Sequence, residues 1–265
     1  MKYFILLAAI AFQAVSTQTA FSADAGKRVV VVWSEGTVSK KIYPNDINGA
    51  IAEGLSCLKD WKVVKASIDD PNQGLSDERL NHCDVLVWWG HKKHGQVKDE
   101  LVNKIVNRVK EGKMGFIALH SSHFAKANIA LMSQSETKKE LLDKVTPKNH
   151  VAAWGGYKVD SVTLAIAVKD PTHPIAQGIK DFTIEHEERY IDPYAVPPPQ
   201  SVVFEGDAKL KDGSVDRSQV GLCWQIGAGR VFYLQAGHES KPVYYDSNIR
   251  KIIANAVLWA APVKN

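Results

Sequence analysis

The segment DVLVWWGHKKHG, residues 84–95, joins a run of large apolar side chains to two histidines through a glycine. A continuous run of Val, Leu and Trp is typical of a strand that is buried on both faces of a parallel sheet. The segments GFIALHSSHF (residues 115–124) and VFYLQAGHES (residues 231–240) repeat this arrangement. We therefore predict three buried strands that each deliver histidine to the same edge of one sheet.

The first half of the chain alternates further apolar runs with amphipathic segments. KRVVVVWS (residues 27–34) and WKVVKASI (residues 61–68) are typical of buried strands, and between them Ile47, Ile51 and Leu55 share one helical face. A second amphipathic helix is predicted over residues 97–109. This alternation predicts an α/β fold, with a mostly parallel central sheet covered by helices on both faces.

The second half of the chain has a different pattern. Five strand-like runs follow one another with turn signals between them, and DGSVDRS, residues 212–218, predicts the loop of an antiparallel hairpin. A final helix is predicted over residues 249–259. Since no repeat, low-complexity tract or linker divides the chain, we predict a single domain over residues 26–265 with antiparallel strands added to the parallel sheet.

The composition excludes several classes of partner and cofactor. Hydrophobic residues make up 45% of the 265 residues, and the formal net charge is only +4, with scattered lysines. These values are typical of a soluble protein and give no basic stripe for nucleic acid. WSEGTVS follows the first strand in place of a G-x-G-x-x-G motif, so we expect no nucleotide cofactor. The wide spacing of the three cysteines excludes a zinc knuckle or a disulfide scaffold.

Residues 1–25 have the pattern of a signal peptide. Lys2 precedes an apolar stretch from Tyr3 to Val15, and small residues follow. The apolar stretch is short for a membrane span and no positive flank follows it. We expect cleavage between Ser22 and Ala25 and a periplasmic or secreted protein without a transmembrane anchor.

Polar side chains suited to binding or catalysis follow the predicted strands. Ligands of open α/β sheets bind outside the carboxyl ends of the parallel strands. His120 and His238 are the predicted catalytic histidines at these ends. The predicted substrate-binding residues are Glu35, His91, Ser121, His123 and Glu239.

TIEHEERY, residues 183–190, adds further candidates on another strand. Strict alternation along a strand places His186, Glu188 and Tyr190 on one face. The same alternation places Glu185 and Glu187 on the opposite face, which we expect to be solvated or salt-bridged. We expect the first set to join the histidines and the second to be structural.

Five motifs in this order resemble the ThuA-like (trehalose utilisation) family: GHKKHG, LHSSHF, EHEERY, GHES and IANAVLWAAP. The resemblance implies a flavodoxin-like three-layer fold related to class I glutamine amidotransferases, and a role in bacterial carbohydrate metabolism. Amidotransferases carry a nucleophilic cysteine at the elbow after a strand. LHSSHF has no cysteine at that position, so we expect no amidotransferase activity.

Two kinds of chemistry are open to these residues. Imidazoles and carboxylates suit Zn²⁺ or Mn²⁺, and the predicted metal ligands are His120, His186 and His238, with Glu188 and His91 as the next candidates. The alternative is metal-free acid/base catalysis, with His120 or His238 as the base, Glu188 as the acid and Tyr190 as a hydrogen-bond donor.

The resulting hypothesis is an exported enzyme that processes a carbohydrate. The resemblance implies a keto-glycoside or keto-sugar as substrate, with elimination, hydrolysis or isomerisation as the reaction. One alternative is a carbohydrate-binding protein without catalysis, and another is an ordinary metal-dependent hydrolase. Aromatic residues in the predicted loops suit the wall of a sugar site and the surface of a homo-oligomer equally well.

Overall fold

The computed structural model describes residues 26–132, 157–192 and 196–263, so the predicted signal peptide lies outside the described residues. The described strands form one sheet, in the order β2-β1-β3-β4-β9-β8-β7-β5-β6. The strands are β1 (Arg28–Ser34), β2 (Trp61–Ser67), β3 (Val85–Trp89), β4 (Gly115–Leu119), β5 (Tyr157–Val168), β6 (Phe182–Tyr190), β7 (Ser201–Lys209), β8 (Val215–Ile226) and β9 (Gly229–Leu234).

The sheet has a parallel half and an antiparallel half. Strands β2, β1, β3, β4 and β9 pair in parallel. Strands β9, β8, β7, β5 and β6 pair antiparallel. The predicted mixed α/β architecture is confirmed. The hairpin between β7 and β8 turns at residues 210–214. This turn overlaps the predicted loop only at residues 212–214, because residues 215–218 already belong to β8.

Helices cover both faces of the sheet, which gives the predicted three layers. They are α1 (Asp46–Gly54), α2 (Asp77–His82), α3 (Asp99–Lys110), α4 (Lys126–Met132) and α5 (Ser247–Ala260). One core contains side chains of α1 and α5, and the other contains side chains of α2, α3 and α4. Each fully buried Leu or Ile in these cores contributes about 1.5–3 kcal/mol.

Helices α2 and α4 were not predicted, because at six and seven residues they are too short to show a 3.6-residue period. Local capping defines α2 instead. The Ser76 hydroxyl oxygen accepts a hydrogen bond from the Arg79 N–H, and such an N-cap is worth about 1 kcal/mol. Within the described residues, no helix is long and apolar enough to span a bilayer.

The antiparallel half folds back towards the ends of the parallel strands. β6 is separated from β9 by β8, β7 and β5 in the sheet, yet the Gln235 side-chain oxygen just after β9 accepts a hydrogen bond from the Arg189 guanidinium of β6 at 3.2 Å. The register between β5 and β6 shifts three times, and Ser161 and His186 have φ angles of 57° and 60°. Such bulges increase local twist. This curvature brings β6 over the edge where β3, β4 and β9 end.

Candidate active site

His120 stands at the elbow that follows β4. Its φ angle is 54°, in the left-handed region that costs a residue other than glycine about 1–3 kcal/mol and often marks a functional site. The side chain is completely buried. Its Nδ1 lies 2.9 Å from the Gln235 carbonyl oxygen. Because a carbonyl only accepts, Nδ1 carries the proton and donates it there, which leaves Nε2 facing the site.

Glu188 of β6 lies between the two predicted catalytic histidines. Its Oε2 is 3.2 Å from His120 Nε2, and its Oε1 is 3.1 Å from His238 Nε2. The Tyr190 hydroxyl donates to Oε2 at 2.6 Å. Burial raises the pKa of Glu188, but the hydrogen bonds from His238 and Tyr190 and the contact with the His120 ring outweigh it and hold the pKa well below its usual range. The resting carboxylate is therefore ionised and is not poised as the acid that the sequence suggested.

Tyr190 keeps its proton in this cluster. Burial, followed by the neighbouring Glu188 charge, raises the pKa of the phenol far above its usual value. The hydroxyl also lies 3.4 Å from His120 Nε2. Tyr190 therefore fits the predicted part of a hydrogen-bond donor.

The protonation of His238 follows from its contact with Ser240. The backbone N–H of Ser240 donates to His238 Nδ1 at 3.0 Å, so in the neutral ring Nε2 carries the proton. That proton points to Glu188. Burial lowers the pKa of His238, but the hydrogen bond to Glu188 outweighs burial and leaves the pKa above its ordinary value. His238 therefore presents a proton donor to the site.

Glu187 is buried and bound to backbone N–H groups, which corrects the prediction of a solvated or salt-bridged face. Its carboxylate accepts hydrogen bonds from the backbone N–H groups of Gly237 at 2.9 Å and His238 at 3.1 Å. Its pKa is raised by burial. The positive φ of His186 interrupts the strand just before Glu187, so strict alternation fails there. Glu187 thus fixes the backbone that carries His238.

Gly237 is a glycine for a steric reason. Its φ is 142°, and a Cβ at this position would lie 2.0 Å from the hydroxyl oxygen of Tyr244. The same Cβ would be 3.2 Å from His120 Cβ. Close packing of the segment after β9 against the elbow after β4 therefore requires the absence of a side chain.

His91 and Glu239 lie beside this cluster, where the site meets solvent, and the buried Ser121 contacts His91. The Ser121 hydroxyl donates to the Gly90 carbonyl at 2.7 Å and lies 3.1 Å from His91 Nδ1. His91 Nε2 is 3.4 Å from Glu239 Oε1. The His91 and Glu239 side chains are 26% and 17% exposed, so the site is reached from this side. The pKa of His91 is lowered, chiefly by burial.

Glu35 and His123, both predicted to bind substrate, are buried and have structural contacts. Glu35 Oε2 accepts hydrogen bonds from the backbone N–H groups of His91, Lys92 and Lys93, at 2.7–2.9 Å. His123 is completely buried, and its ring lies 4.7 Å from that of Tyr190, centroid to centroid. Burial lowers the pKa of His123 to about 3. Both residues are therefore buried supports of the loops around the site and do not line it.

Two groups of potential metal ligands converge in the described residues. One donor atom each of His91, His120 and Glu239 lies within 4.8 Å of the others, and the same holds for His120, Glu188 and His238. His186, the third predicted ligand, is exposed and belongs to neither group. The structure therefore brings His120 and His238 together without His186.

Three residues that position the site were not singled out from the sequence. Glu187, Gln235 and Ser240 orient His238 or His120 through backbone groups. The only local signal was that Gln235 and Ser240 flank the GHE motif. A hydrogen bond to the backbone of a distant strand leaves no pattern in the sequence.

A family model described as trehalose utilisation matches residues 28–260. The chain belongs to this ThuA family. Putative ThuA-like proteins from Parabacteroides merdae and Bacteroides uniformis have similar structures, both with a TM-score of 0.56 and with 12% and 14% sequence identity. The alignments cover 90% and 91% of this chain and 92% and 94% of those chains. Among curated proteins, none matches this ThuA-family chain.

A solved structure outside the ThuA-like proteins shares the fold. The structure of PurLQS from Thermotoga maritima matches this ThuA-family chain with a TM-score of 0.51 and 12% identity, over 88% of this chain and 99% of that one. In this family member His120 occupies the elbow after β4. The cysteines lie elsewhere: Cys57 is exposed, whereas Cys83 and Cys223 are buried, which raises the pKa of both thiols. A buried thiol of raised pKa is inert as a nucleophile.

Proposed function

We propose that this ThuA-family protein is an exported enzyme that acts on a keto-glycoside by acid/base chemistry. The observation that carries the proposal is the convergence of His120, Glu188 and His238 at the carboxyl edge of the sheet. Membership of the trehalose utilisation family supports a carbohydrate as the substrate class.

The protonation states favour Glu188 as the base and His238 as the acid. A ketone acidifies the neighbouring C–H bond. As the substrate takes over the hydrogen bonds that His238 and Tyr190 donate to Glu188, the pKa of Glu188 rises, and its carboxylate takes that proton to leave an enediolate. The enediolate re-forms the ketone and a C=C bond while the glycosidic C–O bond breaks. His238 Nε2–H gives its proton to the departing oxygen. Tyr190 donates a hydrogen bond to the oxygen on which charge develops.

The proposal is tested by following products from trehalose and methyl glucoside, each unoxidised and as the 3-keto derivative. We expect turnover of the keto forms only. Glu188→Gln and His238→Ala should each lower kcat by about 10²–10⁴-fold, the usual range for an acid or base. Glu185→Gln, an exposed change on the same strand, is the matched control and should keep wild-type turnover.

The outcomes separate the competing functions. Cleavage of the unoxidised glycosides would indicate an ordinary hydrolase and contradict the proposal. Tight sugar binding without turnover, retained in His120→Ala and His238→Ala, would identify a carbohydrate-binding protein. Full activity in Glu188→Gln would show that Glu188 is not the catalytic base.

A further inference from the structure

The half of the site that faces solvent contains three donor groups whose lone pairs converge. At His91, the single Ser121 hydroxyl proton is directed to the Gly90 carbonyl, so the Ser121 oxygen accepts from His91 Nδ1–H. In the neutral ring His91 Nε2 is then a bare lone pair. His91 thus has the tautomer of a metal-ligating histidine, in which the other ring nitrogen donates to a fixed acceptor.

His120 has the same tautomer for a different reason. Its Nδ1–H is committed to the Gln235 carbonyl, so its bare nitrogen is also Nε2. That nitrogen lies 3.2 Å from a Glu188 oxygen, just as His91 Nε2 lies 3.4 Å from a Glu239 oxygen. A bare ring nitrogen beside a carboxylate oxygen requires a positive charge close to both. The two rings are nearly parallel with centroids 6.5 Å apart, so charging both rings with extra protons would place two cations face to face.

Glu239 supplies the third donor. Its Oε2 is buried and has no hydrogen-bond partner among the described residues. A buried carboxylate oxygen without a donor requires an explanation, and an ion is one of the few available. Oxygens and nitrogens around a tetrahedral ion with bonds of about 2.0–2.2 Å are roughly 3.3–3.6 Å apart. The 3.4 Å between His91 Nε2 and Glu239 Oε1 fits this spacing.

His238 is unsuited to the same ion. Because the Ser240 N–H occupies its Nδ1, its Nε2 carries a proton and points at Glu188. A metal ion on Nε2 would have to displace that proton while Nδ1 still accepts a hydrogen bond, which leaves an imidazolate. The tautomers therefore divide the site into a ligand half and a proton-transfer half.

We propose that His91, His120 and Glu239 form a divalent-cation site, with Zn²⁺ as the preferred ion and Mn²⁺ as the alternative. Two imidazoles and one carboxylate with an open position are a known catalytic zinc set. The open position, on the exposed side, would take a carbonyl or hydroxyl oxygen of the ligand and polarise it. The inference that a substrate oxygen takes the open position rests on the proposed function. Binding of the ion itself can be measured without any turnover.

The test is elemental analysis of protein expressed from the full chain and purified without a metal-affinity step, followed by titration with Zn²⁺ alone. We expect about one equivalent in the wild type. His91→Ala and Glu239→Ala, two changes at partly exposed positions, should weaken Zn²⁺ binding at least 100-fold. His238→Ala and the matched surface change His186→Ala should retain it. Circular dichroism and thermal melting establish that each variant is folded.

Several results would overturn the inference. One is a wild type that binds no Zn²⁺ or Mn²⁺, and another is loss of binding in His238→Ala with retention in His91→Ala. Loss in His186→Ala would show binding to surface histidines only. The wild-type result also separates the two proposals: stoichiometric metal without turnover of keto-glycosides refutes the function alone, and turnover by a protein that binds neither Zn²⁺ nor Mn²⁺ on titration refutes the ion alone.

Discussion

His94 shows how burial acts on a single side chain near the site. Its ring is only 17% exposed, and neither ring nitrogen has a hydrogen-bond partner among the described residues. The nearest charge is Glu35 Oε1, 3.8 Å from Nδ1. Burial outweighs the attraction of Glu35 and lowers the pKa of His94 to about 4. The folded protein therefore keeps this ring neutral at pH values where the unfolded chain protonates it.

The consequence is a loss of stability as the pH falls. Since the folded pKa of about 4 is below the ordinary histidine pKa of 6.5, the stabilisation is complete above pH 6.5 and is lost as pH falls towards 4. Between pH 7.5 and pH 5, the wild type should lose about 2 kcal/mol more unfolding free energy than His94→Gln. Urea denaturation at both pH values measures the difference.

The control for this measurement is His82→Gln, a change at an exposed histidine. It should follow the wild type at both pH values. If His94→Gln also follows the wild type, His94 is protonated in the folded protein and its burial does not control its charge.

At the scale of elements, Glu187 is the tie between β6 and the segment after β9. Replacing it by Gln leaves one acceptor for two backbone N–H groups and turns an amide N–H₂ towards the other. We expect the free energy of unfolding to fall by about 1–3 kcal/mol, the cost of a buried group without its partner. Thermal and urea denaturation measure this loss.

Glu185→Gln is the matched control, since Glu185 is exposed and two residues away on the same strand. It should stay within about 0.5 kcal/mol of the wild type. Equal stability of both variants would mean that the Gly237 and His238 backbone groups find other acceptors, and that β6 is not tied to β9 through Glu187.

The elements also show where sequence-based prediction succeeds and fails. The apolar strands around residues 84–95, 115–124 and 231–240 were predictable because a strand buried on both faces has a local signature. The inward turn of Glu187 was not, because it depends on a bulge at His186 and on backbone groups fifty residues away. The tautomers of His91 and His238 depend likewise on hydrogen bonds with Ser121 and Ser240. These hydrogen bonds cannot be predicted from the spacing of the residues in the sequence.

For the whole molecule, the proposed export has a direct physical signature. Residues 1–25 carry the signal-peptide pattern, with cleavage expected between Ser22 and Ala25. Intact mass spectrometry of the protein recovered from the periplasm or medium should show a chain that begins in this window. Recovery of the full-length mass from the cytoplasm alone would contradict export.

The curvature that returns β6 to the ends of β4 and β9 has a kinetic consequence. Glu188 and His120 are 68 positions apart along the chain, and three strands lie between β9 and β6 in the sheet. Contacts that close such long loops form late, because the chain loses the loop-closure entropy before the contacts begin to stabilise it. In refolding, the local strands and helices should therefore precede the assembly of Glu188 with His120 and His238. The pairing of β4 with β9 closes a still longer loop, since Phe116 pairs with Val231. Catalytic activity recovered during refolding would therefore report that these long-range contacts have formed, and would appear later than the secondary structure.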